Sequence, residues 1–157
     1  MRIIIIAAVA NNNVIGLNGN IPWHSSDDMK LFKETTSGYP VIMGRKTYQS
    51  LTKILPDRIN IIISNSLKQV TGALVFCSLR SAINYCIQKK YEKIFIAGGG
   101  EIYSQSISFA DELIISKFDL DNEGDIFFPK IEAAIWQLKN KIDFNGFSVY
   151  NYLRKLI

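Results

Sequence analysis

The sequence predicts an α/β protein built on a mostly parallel sheet, and three observations carry the prediction. Short runs rich in Ile and Val recur along the chain, segments with helical spacing fall between them, and glycine marks two of the strand-to-helix junctions. After Asp111 the pattern changes: two strand-like runs follow with no long helix needed between them, which reads as an antiparallel edge hairpin.

The opening, Met1-Arg2-Ile3-Ile4-Ile5-Ile6, stays apolar to Val9, and Ala8-Val9-Ala10 imitates the end of a secretory leader. The stretch is shorter than the roughly 15 to 30 residues of such a leader. Consecutive isoleucines suit a strand buried on both faces, as in a parallel sheet. The same logic places strands at 3–9, 40–43, 59–64, 74–76 and 93–97, and the edge pair at 113–118 and 147–153. Helices are expected at 27–36, 46–51, 79–89 and 101–109, covering the sheet. The third carries Leu79, Ile83, Cys86 and Ile87 at helical spacing.

With 157 residues and no Pro-, Gly- or Ser-rich linker, the chain reads as one domain over 1–157. Its hydrophobic content of 48% is that of a globular protein, which excludes intrinsic disorder. The net charge of +4 favours anionic partners, but no run of Lys and Arg forms a nucleic-acid stripe, so a small phosphorylated ligand fits better. Two cysteines, Cys77 and Cys86, make neither a disulfide framework nor a metal site. They read as small apolar residues in a reducing cytoplasm, with no metal and no membrane partner expected.

Val41-Ile42-Met43-Gly44-Arg45-Lys46-Thr47 and Ile96-Ala97-Gly98-Gly99-Gly100-Glu101 each put glycine between a strand and a helix. A helix start offers unpaired N–H donors, and glycine lets an anion approach the backbone, so both are candidate phosphate sites. Neither is a P-loop, and Tyr103 stands where the dinucleotide fingerprint wants its last glycine. Arg45 and Lys46 add two fixed charges able to hold a phosphomonoester.

Asp28 shares a helix face with Leu31 and Phe32, while Asp27 sits beside Lys30, so Asp28 turns toward the apolar side. Two readings stand at this point. Ser25-x-x-Asp28 has the spacing of a capping box, and acids suit a first turn. Alternatively, the carboxylate offers two acceptor oxygens to a planar ligand with adjacent N–H groups. Pro22-Trp23 makes a stiff entry to this helix, and residues 11–20 read as a loop able to cover the site.

Taken in order, "IIAAVANNNVIGLNGNIPW", "SDDMKLFKETT", "PVIMGRKTYQSL", "LPDRINIIIS", "IFIAGGGEIY" and "EGDIFFP" resemble dihydrofolate reductase of the bacterial chromosomal type over nearly the whole chain. The resemblance implies a single three-layer domain with a twisted central sheet and helices on both faces. It also implies reduction of 7,8-dihydrofolate with NADPH by a cytoplasmic monomer. Asp28 would orient the pterin and promote protonation of N5, with Ser116 linked to it. Ile6, Ala8, Phe32 and Leu55 would wall the substrate pocket, and Arg58 would grip the glutamate carboxylate near Lys53. For the cofactor it implies Arg45, Lys46, Thr47, Ser64 and Asn65 at the phosphate and adenosine end, and Gly98, Gly99, Gly100, Glu101, Ile102 and Tyr103 at the pyrophosphate. Ala8, Ile15, Gly16 and Asn20 would lie toward the nicotinamide, with a cis peptide at Gly98-Gly99. Trp23 and Asp125 would serve loop closure.

Four positions depart from the usual pattern: Ser116 stands for threonine, Ala97 for a larger aliphatic, Asp57 for a turn glycine and Lys53 for arginine. His24, the sole histidine, reads as a surface residue. The competing readings are a related pterin or pyrimidine reductase on the same fold and a non-catalytic NADPH-binding module. Asp28 after Pro-Trp, together with Leu-Pro-x-Arg, argues against the first.

Overall fold

Strands made of consecutive isoleucines need apolar cover on both sides, and the fold supplies it. A computed structural model of the protein describes residues 1–16 and 24–156. Its elements begin β1 (Arg2–Val9), β2 (Val14–Gly16), α1 (Ser26–Thr36), β3 (Pro40–Gly44), α2 (Arg45–Leu51), β4 (Ile59–Ile63) and β5 (Ala73–Phe76). They continue α3 (Leu79–Gln88), β6 (Lys93–Ile96), α4 (Gly100–Ser106), β7 (Glu112–Phe118), β8 (Ile126–Phe127), β9 (Trp136–Asp143) and β10 (Phe147–Arg154).

Eight strands form one sheet in the order β5-β4-β3-β6-β1-β7-β10-β9. Pairing is parallel from β5 to β7, and β10 joins antiparallel to both β7 and β9. Alternation along the strands sorts the core into two layers. Ile5, Ala7, Val9, Ile42, Ile61, Ile94 and Ile96 pack with Leu79, Ala82 and Cys86 of α3 and with Ile102 and Tyr103 of α4. Ile4, Ile6, Val41, Met43, Ile62 and Phe95 pack on the other face with Phe32 of α1 and Tyr48 and Leu51 of α2.

Local chemistry sets the helix starts. The Ser25 hydroxyl caps α1 by accepting from the Asp28 N–H at 3.2 Å, and Ser78 caps α3 by accepting from Ser81 N–H at 3.1 Å. Far along the sheet, Glu112 is paired with Arg2 and accepts from Asn151 Nδ2 at 2.6 Å, so this buried carboxylate is partnered on both sides.

Several expectations need correction. The edge of the sheet is β9, which the sequence reading passed over, so the C-terminal hairpin is β9–β10 and β10 lies next to β7. Ile87 is 55% exposed, and Ala82 takes the inward place on α3. The stretch 11–20 is not wholly loop: Val14–Gly16 forms β2, which pairs with β8 in a separate two-stranded ribbon. Cys77 is exposed, whereas Cys86 is buried as expected. The last helix stops at Ser106, short of Phe109. Among the described residues no helix is long and apolar enough to cross a membrane.

Ile5 is fully buried at the centre of the sheet. Ile5→Ala leaves a cavity there and lowers unfolding free energy by about 2 to 5 kcal/mol, measurable by denaturant titration with unchanged slope.

Candidate active site

Open parallel sheets bind ligands beyond the carboxyl ends of their strands, where the strand order reverses. Here β6 returns to lie between β3 and β1, and a cleft of about 930 Å³ opens along that rim. Ala8 of β1, Gly44 of β3, Ile63 of β4, Cys77 after β5 and Ala97 after β6 all reach it.

At one end of the cleft the junction from β3 to α2 presents Arg45, Lys46 and Thr47. The Arg45 Nη1 donates to Gln49 Oε1 one turn on, at 3.0 Å, which fixes the cation without cancelling its charge. Ser64 and Asn65 follow β4 on the same wall. The Ser64 hydroxyl accepts from the N–H groups of Ser66 and Leu67 at 3.1 and 3.0 Å, so its loop is folded around it.

Between β6 and α4 the backbone turns through Gly98, Gly99 and Gly100, and the Gly98-Gly99 peptide is cis, as the resemblance implied. Gly98 has φ +97, and a Cβ there would lie 2.8 Å from the Tyr103 ring. Its carbonyl accepts from Gly44 N at 2.8 Å, so the two glycine junctions are bonded together. Gly99, Gly100, Glu101, Ile102 and Tyr103 line the cleft, as do Ile15, Gly16 and Asp125. The Tyr103 hydroxyl donates to the Ile6 carbonyl at 2.8 Å, and burial pushes its pKa up, the charge of Asp28 adding to the effect. It stays a proton donor and ties α4 to β1.

Asp28 makes only half of a capping box. Its backbone N–H takes the Ser25 cap, while its carboxylate leaves the helix and accepts from Ser116 Oγ at 2.6 Å. Ser116 stands on β7 opposite Ala8 of β1. Asp27 is exposed. Burial raises the pKa of Asp28 and the Ser116 bond lowers it, burial being the larger effect. Ile6, Phe32 and Leu55 belong to one apolar cluster on this side of the sheet, with Ala97. The Arg58 guanidinium lies 5.8 Å from the Phe32 ring centre. Asp57 before it has φ 59, which is why a glycine suits that turn.

Of the expected site residues, Lys53 is exposed and has no hydrogen bond or ion pair among the described residues, so the structure does not bring it to the others. Asn20 and Trp23 lie outside the described residues. The Asp125 N–H donates to the Gly16 carbonyl at 3.0 Å, joining its turn to β2. His24 is exposed, in line with the surface reading. Sequence reading missed Ser66, Cys77 and Ser78 in the cleft, although their place just after β4 and β5 is a usable signal. It also missed Thr36 and Asn60, buried polar residues beside Arg58.

The fold and the cleft define an α/β protein with a cationic, glycine-lined ligand site. Asp28, a half-buried carboxylate, lies outside that cleft's lining and is held by Ser116 of β7, which pairs with Ala8 at the cleft wall. The sequence pattern of the family described as "Dihydrofolate reductase" matches residues 2–152. "Dihydrofolate reductase HdrB" of Haloferax volcanii is 36% identical, over 99% of this chain and 84% of that protein. The "Dihydrofolate reductase" of Neisseria gonorrhoeae is 44% identical, over 87% of this chain and 85% of its own. A solved structure, "Dihydrofolate reductase from Enterococcus faecalis complexed with NADP(H)and RAB-propyl", superposes with TM-score 0.88 at 29% identity, covering 99% of this chain and 97% of that one. The chain belongs to the dihydrofolate reductase family.

Two outcomes follow from this geometry. Gly98→Ala meets both a left-handed backbone and a Tyr103 ring anchored by its own hydrogen bond, so it costs about 1 to 3 kcal/mol and weakens nucleotide binding, as denaturation and fluorescence titration would show. Native Asp28 binds its proton more tightly than it does in the unfolded chain, so stability falls as pH rises from about 4 through the raised native value. Asp28→Asn therefore melts above the native protein at neutral pH, and the difference closes below about pH 4, where the acid is protonated in both states.

Proposed function

We propose that the chain reduces 7,8-dihydrofolate to 5,6,7,8-tetrahydrofolate with NADPH, as a single-domain cytoplasmic monomer. The observation that carries this reading is Asp28: a half-buried acid held by Ser116, which pairs across β7 and β1 with Ala8 of the cleft that Arg45 and Lys46 also line. The donor set fits the cofactor. Arg45, Lys46 and Thr47 suit the doubly charged 2′-phosphate, and the glycine junction admits a pyrophosphate to the backbone. When bound, NADPH supplies hydride from C4 of its nicotinamide to C6 of the pterin.

The chain's own groups do the rest. Asp28 accepts from the pterin 2-amino group and N3, which fixes the ring, and its negative charge raises the proton affinity of N5, a water being the immediate donor. Ser116 directs one carboxylate oxygen and leaves the charge in place. Ile6, Ala8, Phe32 and Leu55 exclude water around the ring, and Arg58 takes the glutamate carboxylate in its fork of donors.

The test is the loss of reduced-nicotinamide absorbance on mixing protein, NADPH and dihydrofolate. The native chain turns over only when both are present, and Asp28→Asn loses at least about 100-fold in kcat/KM while still binding NADPH. Cofactor binding without turnover by the native chain would instead identify a nucleotide-binding module, and turnover only with another pterin or pyrimidine would identify a related reductase.

A further inference from the structure

Arg58 is more constrained than a surface arginine needs to be. Its Nε donates to the Pro56 carbonyl at 2.7 Å and its Nη1 to the Thr36 hydroxyl at 3.2 Å. Thr36 is fully buried, and its own hydroxyl proton is committed to the Phe32 carbonyl at 2.8 Å. The oxygen therefore meets Arg58 as an acceptor only, and the guanidinium cannot exchange roles with it. Behind the loop, Asn60 is buried; its Oδ1 accepts from Leu55 N at 2.8 Å, and its Nδ2 donates to Leu55 O at 2.9 Å and Arg58 O at 3.2 Å. The turn that carries Arg58 is fixed from both sides.

Two of the five N–H bonds of a guanidinium are used this way, and both on Nη2 have no partner among the described residues. We infer that Thr36 is a positioning residue for substrate selection: its locked hydroxyl sets the plane of Arg58 so that the remaining fork faces a ligand carboxylate that Thr36 itself does not touch.

The placement on α1 strengthens this. Asp28, Phe32 and Thr36 follow one another at four-residue spacing, so they form a single stripe along the helix. The stripe runs about 12 Å from acid to hydroxyl. One rigid element thus sets the distance between the group that accepts the ligand's N–H pair and the group that aims the carboxylate-binding cation. A neutral Thr is required at the far end, because an acid there would itself pair with Arg58 and neutralise it.

The inference rests on the assignment of Arg58 to the substrate carboxylate, and the experiment separates the two. Steady-state kinetics use dihydrofolate and 6-methyl-7,8-dihydropterin, which has the same reducible ring and no glutamate tail. Thr36→Val, of similar volume without the hydroxyl, raises the ratio of the two KM values about 10-fold, while Thr36→Ser, which keeps the acceptor, restores it. Arg58→Gln raises the ratio further. If Arg58→Gln leaves the ratio unchanged, the carboxylate assignment fails and the inference with it. If Arg58→Gln raises it and Thr36→Val does not, or if Thr36→Val raises both KM values equally, only the inference fails. Should Thr36→Val not fold, Thr36→Ala carries the same comparison.

Discussion

Burial of the central strands on both faces is the constraint from which the rest follows. β1, β3, β4 and β6 carry isoleucine, valine, methionine and phenylalanine into two apolar layers at once, leaving almost no place within the sheet for an unpartnered polar group. Polar chemistry is driven to the rim. At the carboxyl ends the chain leaves the sheet through turns, loops and helix starts, and there glycine, Arg45, Ser64 and Ser78 meet the cleft. The location of the site is thus a consequence of how the core is closed.

Asp28 is the exception at the margin of the core, a half-buried acid on its apolar side. Burial makes its charge unfavourable, and a single hydroxyl from Ser116 offsets only part of that. A fold optimised for stability alone would place a neutral residue there, which is the usual mark of a group kept for function. The contrast with Glu112 is informative. That acid is the more buried of the two, yet Arg2 and Asn151 both serve it, and it stands at the amino-terminal end of β7, where Asp111 precedes the strand.

The fold class was legible because its signals are local: the isoleucine runs, the helical spacings, Ser25 and the glycine junctions each announce their own structure. β9 was not, since an edge strand with Lys139, Asn140 and Lys141 facing solvent carries a weak apolar period, and Leu138 and Ile142 are exposed. β2 and β8 are three and two residues long and exist through each other, at more than 100 residues' separation. The inward turn of Asp28 was legible from helical spacing alone. Thr36 and Asn60 were not, because a buried polar side chain is explained only by partners that the linear sequence leaves unspecified.

Three of the charges assigned to ligand binding share a design that no single one reveals. Arg45 is oriented by the amide of Gln49, Arg58 by the hydroxyl of Thr36 and the carbonyl of Pro56, and Asp28 by the hydroxyl of Ser116. None has an ion-pair partner within 4.0 Å among the described residues. A salt bridge would have fixed each side chain equally well, but it would have satisfied the charge before a ligand arrived, and the ligand would then have had to displace it. Neutral partners set direction and leave the charge available. Arg2 and Glu112, which pair with each other, show the opposite arrangement in the same molecule, at a place remote from the cleft. A neutral partner is not itself the mark of a ligand-binding charge, since Arg154 donates to the Ala110 and Ile107 carbonyls at 2.7 Å while tying β10 to the loop before β7; what the three share is a direction fixed without neutralisation.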